Sequence, residues 1–153
     1  MLLRNLFAIG AIVALLFLRL RREATLLTLT IVGGWAVNST IKALVGRPRP
    51  ELVSHLTEAG GLSFPSGHSF NSAVVYISIA LAFAALSPRQ SVRATLVLAA
   101  MALTLAIALS RVWLGVHYPS DALAGWLGGA GWAFTAAALL YRPAKAVADQ
   151  TKD

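Results

Sequence analysis

Five apolar stretches follow one another along the chain, and short polar segments separate them. Their approximate bounds are residues 2–18, 24–41, 66–87, 94–110 and 121–140. A helix that spans a bilayer needs roughly 20 apolar residues, and about 17 is the lower limit. The first and fourth stretches are short but sufficient. The pattern therefore predicts an all-α protein, an integral membrane bundle of about five transmembrane helices.

The composition supports a membrane protein with a single domain. Of the 153 residues, 58% are hydrophobic and 12% are charged. Charged residues make up roughly a quarter of soluble chains, so the composition excludes a soluble globule. We expect one membrane-embedded domain over residues 1–153, in which residues 141–153 form a polar cytoplasmic tail. The chain has no cysteine, which excludes disulfides, thiol nucleophiles and cysteine-ligated zinc.

The chain is strongly basic, with a net charge of +7. It offers no soluble basic domain that could bind nucleic acid, so we attribute the charge to membrane topology and to phosphate binding. Arg4 precedes the first apolar run, as in a signal peptide. That run ends in a basic segment, residues 19–22, and not in a small-residue cleavage site. We therefore interpret the first stretch as a membrane anchor.

The polar connections fall into two groups that differ in charge and in histidine content. Segments 19–23 and 88–93 and the C-terminal tail hold most of the Lys and Arg residues and no histidine. Segments 42–65 and 111–120 hold His55 and His117, and His68 follows the first of them by three residues. Cytoplasmic loops are enriched in Lys and Arg. The histidine-containing segments are therefore expected on the non-cytoplasmic face of a bacterial-type inner membrane, with the N-terminus on that side. Arg4 alone argues weakly for the reverse.

Three short polar segments carry most of the groups capable of chemistry. They are Lys42-x6-Arg49-Pro50, Pro65-Ser66-Gly67-His68 and Ser110-Arg111-x5-His117-x3-Asp121. Each lies at the edge of an apolar stretch. Together they supply three cations, two histidines and one carboxylate, a set that suits a phosphate group.

The three cations of these segments match the charge of a phosphate monoester. Guanidinium groups bind phosphate oxygens in bidentate fashion, and lysine acts as a point charge. Lys42, Arg49 and Arg111 could supply both contacts. For Lys42 and Arg49 the alternative is that they are interfacial side chains that extend toward water. Arg47 is expected to support the rim or the backbone.

The segment that contains His68 comes directly before the third apolar stretch, so it predicts the first turn of that helix. Proline suits the first helical position, and the free N–H groups there attract an anion. Ser66 adds a hydroxyl and Gly67 permits close approach of the backbone. A plain helix cap would explain Pro65, Ser66 and Gly67, but it would not explain His68.

The segment from His117 to Asp121 opens the last stretch and offers a nucleophile. Imidazole can attack phosphorus and form a phosphohistidine, and a carboxylate bonded to the ring fixes its tautomer. The alternative for Asp121 is a first-turn acid that the helix dipole favours. His55 is assigned to the surface. A two-metal site needs several acidic or histidine ligands. The segments hold few such side chains, and many cations surround them, so we expect a metal-independent site without a cofactor.

The order and spacing of the three segments resemble the type 2 phosphatidic acid phosphatase (PAP2) family over about residues 24–140. The resemblance implies that His117 is the nucleophile, Asp121 its orienting partner and His68 the general acid. It also implies a phosphate clamp, a set of groups that stabilises the transition state. The clamp comprises Lys42, Arg49, Ser66, Gly67 and Arg111. Bacterial members usually have six spans, so we expect either a shortened bundle or a homo-oligomer in which a second copy covers the open face.

These observations predict a phosphatase that acts on a phosphorylated membrane lipid. Phosphatidylglycerophosphate, phosphatidic acid and undecaprenyl diphosphate all fit the motifs. A lipid phosphotransferase would use the same site to pass the phosphoryl group to an alcohol. A non-catalytic transport or scaffold protein is the alternative from another class, and it would tolerate loss of His117.

Overall fold

The computed structural model describes residues 2–50, 56–57 and 60–140, and this part of the chain is helical without strands. Five helices follow in order: α1 Leu2–Phe17, α2 Arg21–Val45, α3 Gly67–Ala84, α4 Gln90–Trp113 and α5 Pro119–Leu140. They confirm the five predicted stretches. His55 and the tail at 141–153 lie outside the described residues.

Helices α2 to α5 are each long and apolar enough to cross a membrane. Helix α1 has 16 residues, which corresponds to about 24 Å at the usual helical rise, so it is short for a hydrocarbon core of about 30 Å. Large apolar side chains such as Leu29, Leu98 and Leu127 are exposed on the outer faces. An apolar exterior of this kind is what contact with lipid requires.

Helix α3 is the centre of the bundle and contacts each of the other four helices. One apolar cluster joins α3 to α4 and α5, and a second joins it to α1 and α2. The first contains Ala73, Ile77, Ala80, Ala100, Ala130 and Ala133. The second contains Ala11, Leu15, Ala24, Leu27 and Ala82. Because most of these side chains are small, the helices approach closely, as in other membrane bundles.

Glycines of α5 allow its closest contact with α3. A Cβ atom on Gly125 would lie 2.7 Å from the carbonyl oxygen of Ser66, and one on Gly129 would collide with the carbonyl oxygen of Phe70. These contacts show that the glycines of α5 serve helix packing. The N-terminal end of α3 is thus held against α5, at the end of the bundle that carries the motif segments.

The helix boundaries place several motif residues differently from the sequence prediction. Helix α3 begins at Gly67 and Ser66 is its N-cap, so the expectation that Pro65 takes the first helical position was wrong. Proline has that position in α5, which begins at Pro119, where the missing N–H costs nothing. Helix α4 continues through Trp113, so Arg111 lies inside its last turn and not directly after the helix.

Candidate active site

The three motif segments converge on one cleft, of about 290 Å³, at the end of the bundle where α3 and α5 begin. The motif residues that line it are Lys42, Arg49, Gly67, His68, Arg111 and His117. The described part of the connection between α2 and α3 forms another wall, with Thr57, Gly60, Gly61 and Leu62. The cleft thus combines three cations with two imidazoles.

Lys42 and Arg49 both bind main-chain carbonyl groups around the cleft. The Nζ atom of Lys42 donates to the carbonyl oxygens of Leu62 and Pro65, each at 2.8 Å. Arg49 donates to the carbonyl oxygens of Gly60 at 2.9 Å, Gly61 at 3.1 Å and Val116 at 2.7 Å. Their charged ends therefore hold the connection between α2 and α3 against the cleft. They do not simply extend toward water, which was the alternative.

His117 is buried at the inner end of the cleft, with 4% of its surface exposed. Its Nε2 atom lies 3.2 Å from Nη1 of Arg49, and its Nδ1 atom lies 3.3 Å from Oγ of Ser63. Because a guanidinium can only donate, Nε2 must accept, and the network assigns the ring proton to Nδ1. The Nε2 lone pair therefore points toward Arg49, a residue of the cleft.

Ser63 connects His117 to Asp121, and the sequence reasoning missed it. Its hydroxyl donates a short hydrogen bond to Oδ2 of Asp121 and receives the Nδ1–H of His117. The direct distance from His117 Nδ1 to Asp121 Oδ2 is 3.6 Å, too long for a hydrogen bond. The expected direct bond between the two residues is thus replaced by one that passes through Ser63. Nothing in the local sequence separates Ser63 from an ordinary loop serine.

Asp121 is fully buried and is held by three groups besides its own helix. Its Oδ1 atom accepts from Nη1 of Arg47 at 3.0 Å, and its Oδ2 atom accepts from the Tyr118 backbone N–H at 3.1 Å and from Ser63. The Arg47 guanidinium also lies over the Tyr118 ring, 4.1 Å from its centre. Arg47 was expected to support the rim, but it is the ion-pair partner of the buried carboxylate. A first-turn acid held only by the helix dipole would not need these contacts.

The Ser66 side chain does not reach the cleft. Its hydroxyl is fully buried and caps α3, where it accepts the Ser69 backbone N–H at 3.4 Å and the Ser69 hydroxyl at 2.9 Å. The Ser66 backbone N–H donates to the Asp121 carbonyl oxygen at 3.0 Å. Ser66 therefore joins two motif segments, whereas its neighbour Gly67 lines the cleft.

His68 and Arg111 both line the cleft. The guanidinium of Arg111 donates only to Oγ of the adjacent Ser110 in the described part of the chain, at 3.2 Å. The hydroxyl of Ser72, one turn after His68, bonds the backbone carbonyl of His68 at 2.6 Å and not its ring. Both side chains therefore keep polar atoms available to a bound group.

The surroundings of His117 favour its neutral form. Burial, and after it the Arg49 guanidinium, lowers the pKa of His117 to about 4, although the Asp121 carboxylate opposes the shift. At neutral pH the imidazole therefore carries one proton and an available lone pair, as a nucleophile requires. Within the described residues, no group of three or more His, Asp or Glu side chains is placed to hold a metal ion.

Comparison with known proteins places the chain in a family. A model of the PAP2 superfamily matches residues 23–145. Phosphatidylglycerophosphatase B of Bacillus subtilis (strain 168) is 34% identical over 118 residues, which cover 76% of this chain and 57% of that protein. A lipid A 1-phosphatase of Rhizobium etli is 33% identical over 130 residues, which cover 77% of this chain and 50% of that protein.

A solved structure shows the same fold. The crystal structure of a transmembrane PAP2 type phosphatidylglycerolphosphate phosphatase from Bacillus subtilis matches with a TM-score of 0.76 and 29% identity, over 90% of this chain and 66% of that one. The chain therefore belongs to the PAP2 superfamily, as the motif spacing predicted, and has its transmembrane helical fold. It spans about half the length of the curated relatives that it matches.

Proposed function

We propose that this protein is a lipid phosphate phosphatase, a hydrolase that removes phosphate from a phosphorylated membrane lipid. The observation that carries the proposal is the cleft in which Lys42, Arg49 and Arg111 surround His68 and His117. Three cations satisfy the charge of a phosphate group, and a buried neutral imidazole supplies the nucleophile. The names of the matched relatives, which are phosphatases of lipid phosphates, support the same class.

In the proposed first step the Nε2 atom of His117 attacks phosphorus. A nitrogen–phosphorus bond forms, the bond from phosphorus to the lipid oxygen breaks, and His68 as general acid protonates the leaving oxygen. Positive charge develops on the His117 ring, and the hydrogen bond from Nδ1–H to Ser63, which is itself bonded to the buried Asp121 carboxylate, stabilises it. Water then attacks the phosphohistidine with His68 as the base, which releases phosphate and restores both rings.

The clamp must rearrange when a phosphate enters the cleft. Arg49 contacts the Nε2 atom that is to attack, so the phosphate takes over this guanidinium and frees the lone pair. Lys42 contributes a point charge, Arg111 a forked guanidinium and Gly67 its backbone N–H at the start of α3. The Ser66 hydroxyl stays with the helix cap and acts as support.

Phosphate release from a panel of lipid phosphates in detergent tests this proposal. The panel comprises phosphatidylglycerophosphate, phosphatidic acid and undecaprenyl diphosphate. We expect turnover of at least one lipid, with full activity in EDTA because the described cleft is cationic and holds no metal-ligand cluster. Vanadate should inhibit, since it can adopt the five-coordinate geometry of the transition state. Loss of activity in EDTA that a divalent ion restores would contradict the metal-independent mechanism, and adding alcohols would separate hydrolysis from phosphoryl transfer.

We further propose that the cleft faces the non-cytoplasmic side of an inner membrane, within a single domain of residues 1–153. The basic connections near Arg21 and Arg89 lie at the opposite end of the bundle from the cleft, which fits the excess of Lys and Arg in cytoplasmic loops. A membrane-impermeant thiol reagent should label Leu56→Cys in intact cells but not Gln90→Cys. The native chain has no cysteine to interfere. Labelling of Gln90→Cys from outside, with protection of Leu56→Cys, would reverse the orientation.

A further inference from the structure

A second cavity of about 250 Å³ lies between α1, α2 and α3. Polar groups line part of it, and apolar side chains line the rest. The polar residues are Arg4, Asn5 and Asn71, and Ile31, Trp35 and Val74 are among the apolar ones. We call this cavity the α1 groove. A cation beside apolar walls, at the edge of a membrane bundle, suits an anionic lipid group.

The α1 groove adjoins the catalytic cleft. Gly67 belongs to the cleft and Asn71 to the groove, and they lie one turn apart on α3. A Cβ atom on Gly67 would lie 3.5 Å from Nδ2 of Asn38 and 3.9 Å from Nδ2 of Asn71. On α2, Asn38 lies between Trp35 of the groove and Lys42 of the cleft. Two asparagines therefore occupy the boundary between the two cavities.

Asn38 supplies an independent sign that this boundary accommodates a polar group. Its side chain is 4% exposed, and its Oδ1 atom has no hydrogen-bond partner among the described residues. A buried amide oxygen without a partner costs free energy, so such atoms are rare unless water or a ligand satisfies them. A substrate that extends from the cleft into the groove would pass this boundary. Its hydroxyl group, or an ordered water beside it, would then donate the missing hydrogen bond to Asn38.

Arg4 is half-buried in the groove and retains donors for an anion. Its Nε and Nη2 atoms both donate to Oδ1 of Asn5, at 3.2 and 2.9 Å. A guanidinium has five N–H donors, so three are left, and none of the described residues that line the groove is a carboxylate. Arg4 therefore keeps donors and a positive charge available to an anionic group in the groove.

We propose that the α1 groove is a second anion subsite, in which Arg4 binds an anionic group of the lipid other than the phosphate that is removed. The inference rests on the proposed function and names its substrate class: lipids that carry a phosphodiester as well as a terminal phosphomonoester. The phosphomonoester lies in the cleft, the phosphodiester reaches Arg4, and the adjoining glycerol and acyl carbons contact Ile31, Trp35 and Val74. Binding of the phosphodiester then explains why α1 carries Arg4. Arg4 therefore no longer argues against an N-terminus on the non-cytoplasmic side.

The test compares two substrates with the same acyl chains on each enzyme sample. Phosphatidylglycerophosphate has both anionic groups, and phosphatidic acid has only the phosphomonoester. The measured quantity is the kcat/KM for phosphatidylglycerophosphate divided by the kcat/KM for phosphatidic acid. The active fraction of the sample cancels in this ratio. Arg4→Gln should lower this ratio about tenfold or more, because hydrogen bonds between charged groups are the stronger class. The ratio for Arg4→Lys should lie between the ratios for the unmodified enzyme and for Arg4→Gln.

Arg89→Gln is the matched control, since it removes one exposed arginine at the opposite end of the bundle and should leave the ratio unchanged. An unchanged ratio in Arg4→Gln overturns the subsite. If the unmodified enzyme hydrolyses neither lipid, the proposed function fails, and the subsite is tested by binding. In the His117→Ala background, phosphatidylglycerophosphate should raise the thermal unfolding midpoint more than phosphatidic acid does, and adding Arg4→Gln should abolish the difference. If both lipids raised the unfolding midpoint of His117→Ala equally, the subsite would also be overturned.

Discussion

Replacement of His117 by alanine is expected to reduce phosphate release to the background rate on every substrate, whereas His68→Ala retains activity on a substrate with a good leaving group. The nucleophile is needed for each turnover. A general acid contributes roughly 10²–10⁴-fold, and a nitrophenolate needs no proton to depart. The rates of both variants on a lipid phosphate and on nitrophenyl phosphate measure the difference.

The loss of chemistry can be separated from a loss of folding. In the described part of the chain the His117 side chain hydrogen-bonds Arg49 and Ser63. Both lie in the connection between α2 and α3 and not in a helix, so we expect the helices to keep their packing when His117 is removed. Retention of the thermal unfolding midpoint in both variants is the control. Equal losses on both substrates would contradict the assigned roles, and turnover by His117→Ala would favour a non-catalytic protein or another nucleophile.

Asp121→Asn is expected to lower kcat by about 10²–10⁴-fold, the range in which groups that position a catalytic histidine act, while KM changes much less. Asp121 touches Ser63 and Arg47 and does not line the cleft. An amide in its place offers an N–H₂ group where the Ser63 hydroxyl and the Arg47 guanidinium both donate, so at least one contact becomes repulsive. Steady-state kinetics on a single lipid phosphate would measure kcat and KM separately.

Ser63→Ala is the companion variant to Asp121→Asn. It removes the bridge to His117 but leaves the Arg47–Asp121 ion pair, so its loss of kcat should be smaller. Asp121 is completely buried, and breaking a buried pair also destabilises a fold, so unfolding must be measured beside activity. If Asp121→Asn kept full turnover, Asp121 would be only a first-turn acid of α5.

The sequence was sufficient to predict the helices and the residues that meet in the cleft. Apolar length is enough to locate membrane helices, and the spacing of Lys42, His68 and His117 places each at the same end of the bundle. Contacts that depend on loop conformation could not be predicted. Ser63 reaches His117 only because the connection folds back over the site, and Arg47 pairs with Asp121 across 74 positions of sequence.

Residues near helix ends are also hard to assign from the sequence, since one residue type serves several purposes there. Arg4 was counted as a topology signal, and only its position between α1 and α3 shows that it lines a cavity beside the cleft. Pro65 was placed in the first turn of α3 because proline favours that position, but the Ser66 hydroxyl caps the helix one residue later. The homo-oligomer stays a prediction, because the described contacts are all within one chain.

The hydrogen bonds of Lys42 and Arg49 have a consequence for how such a scaffold can diversify. Both residues bind carbonyl oxygens of the main chain, which every amino acid possesses. Ser66 and Gly125 independently hold the start of α3 against α5. Thr57 and Leu62, which line the cleft, can therefore change in sequence without loosening the groups that handle phosphate. Mutations accumulated there would alter which lipid is admitted, whereas the reaction itself would be inherited unchanged.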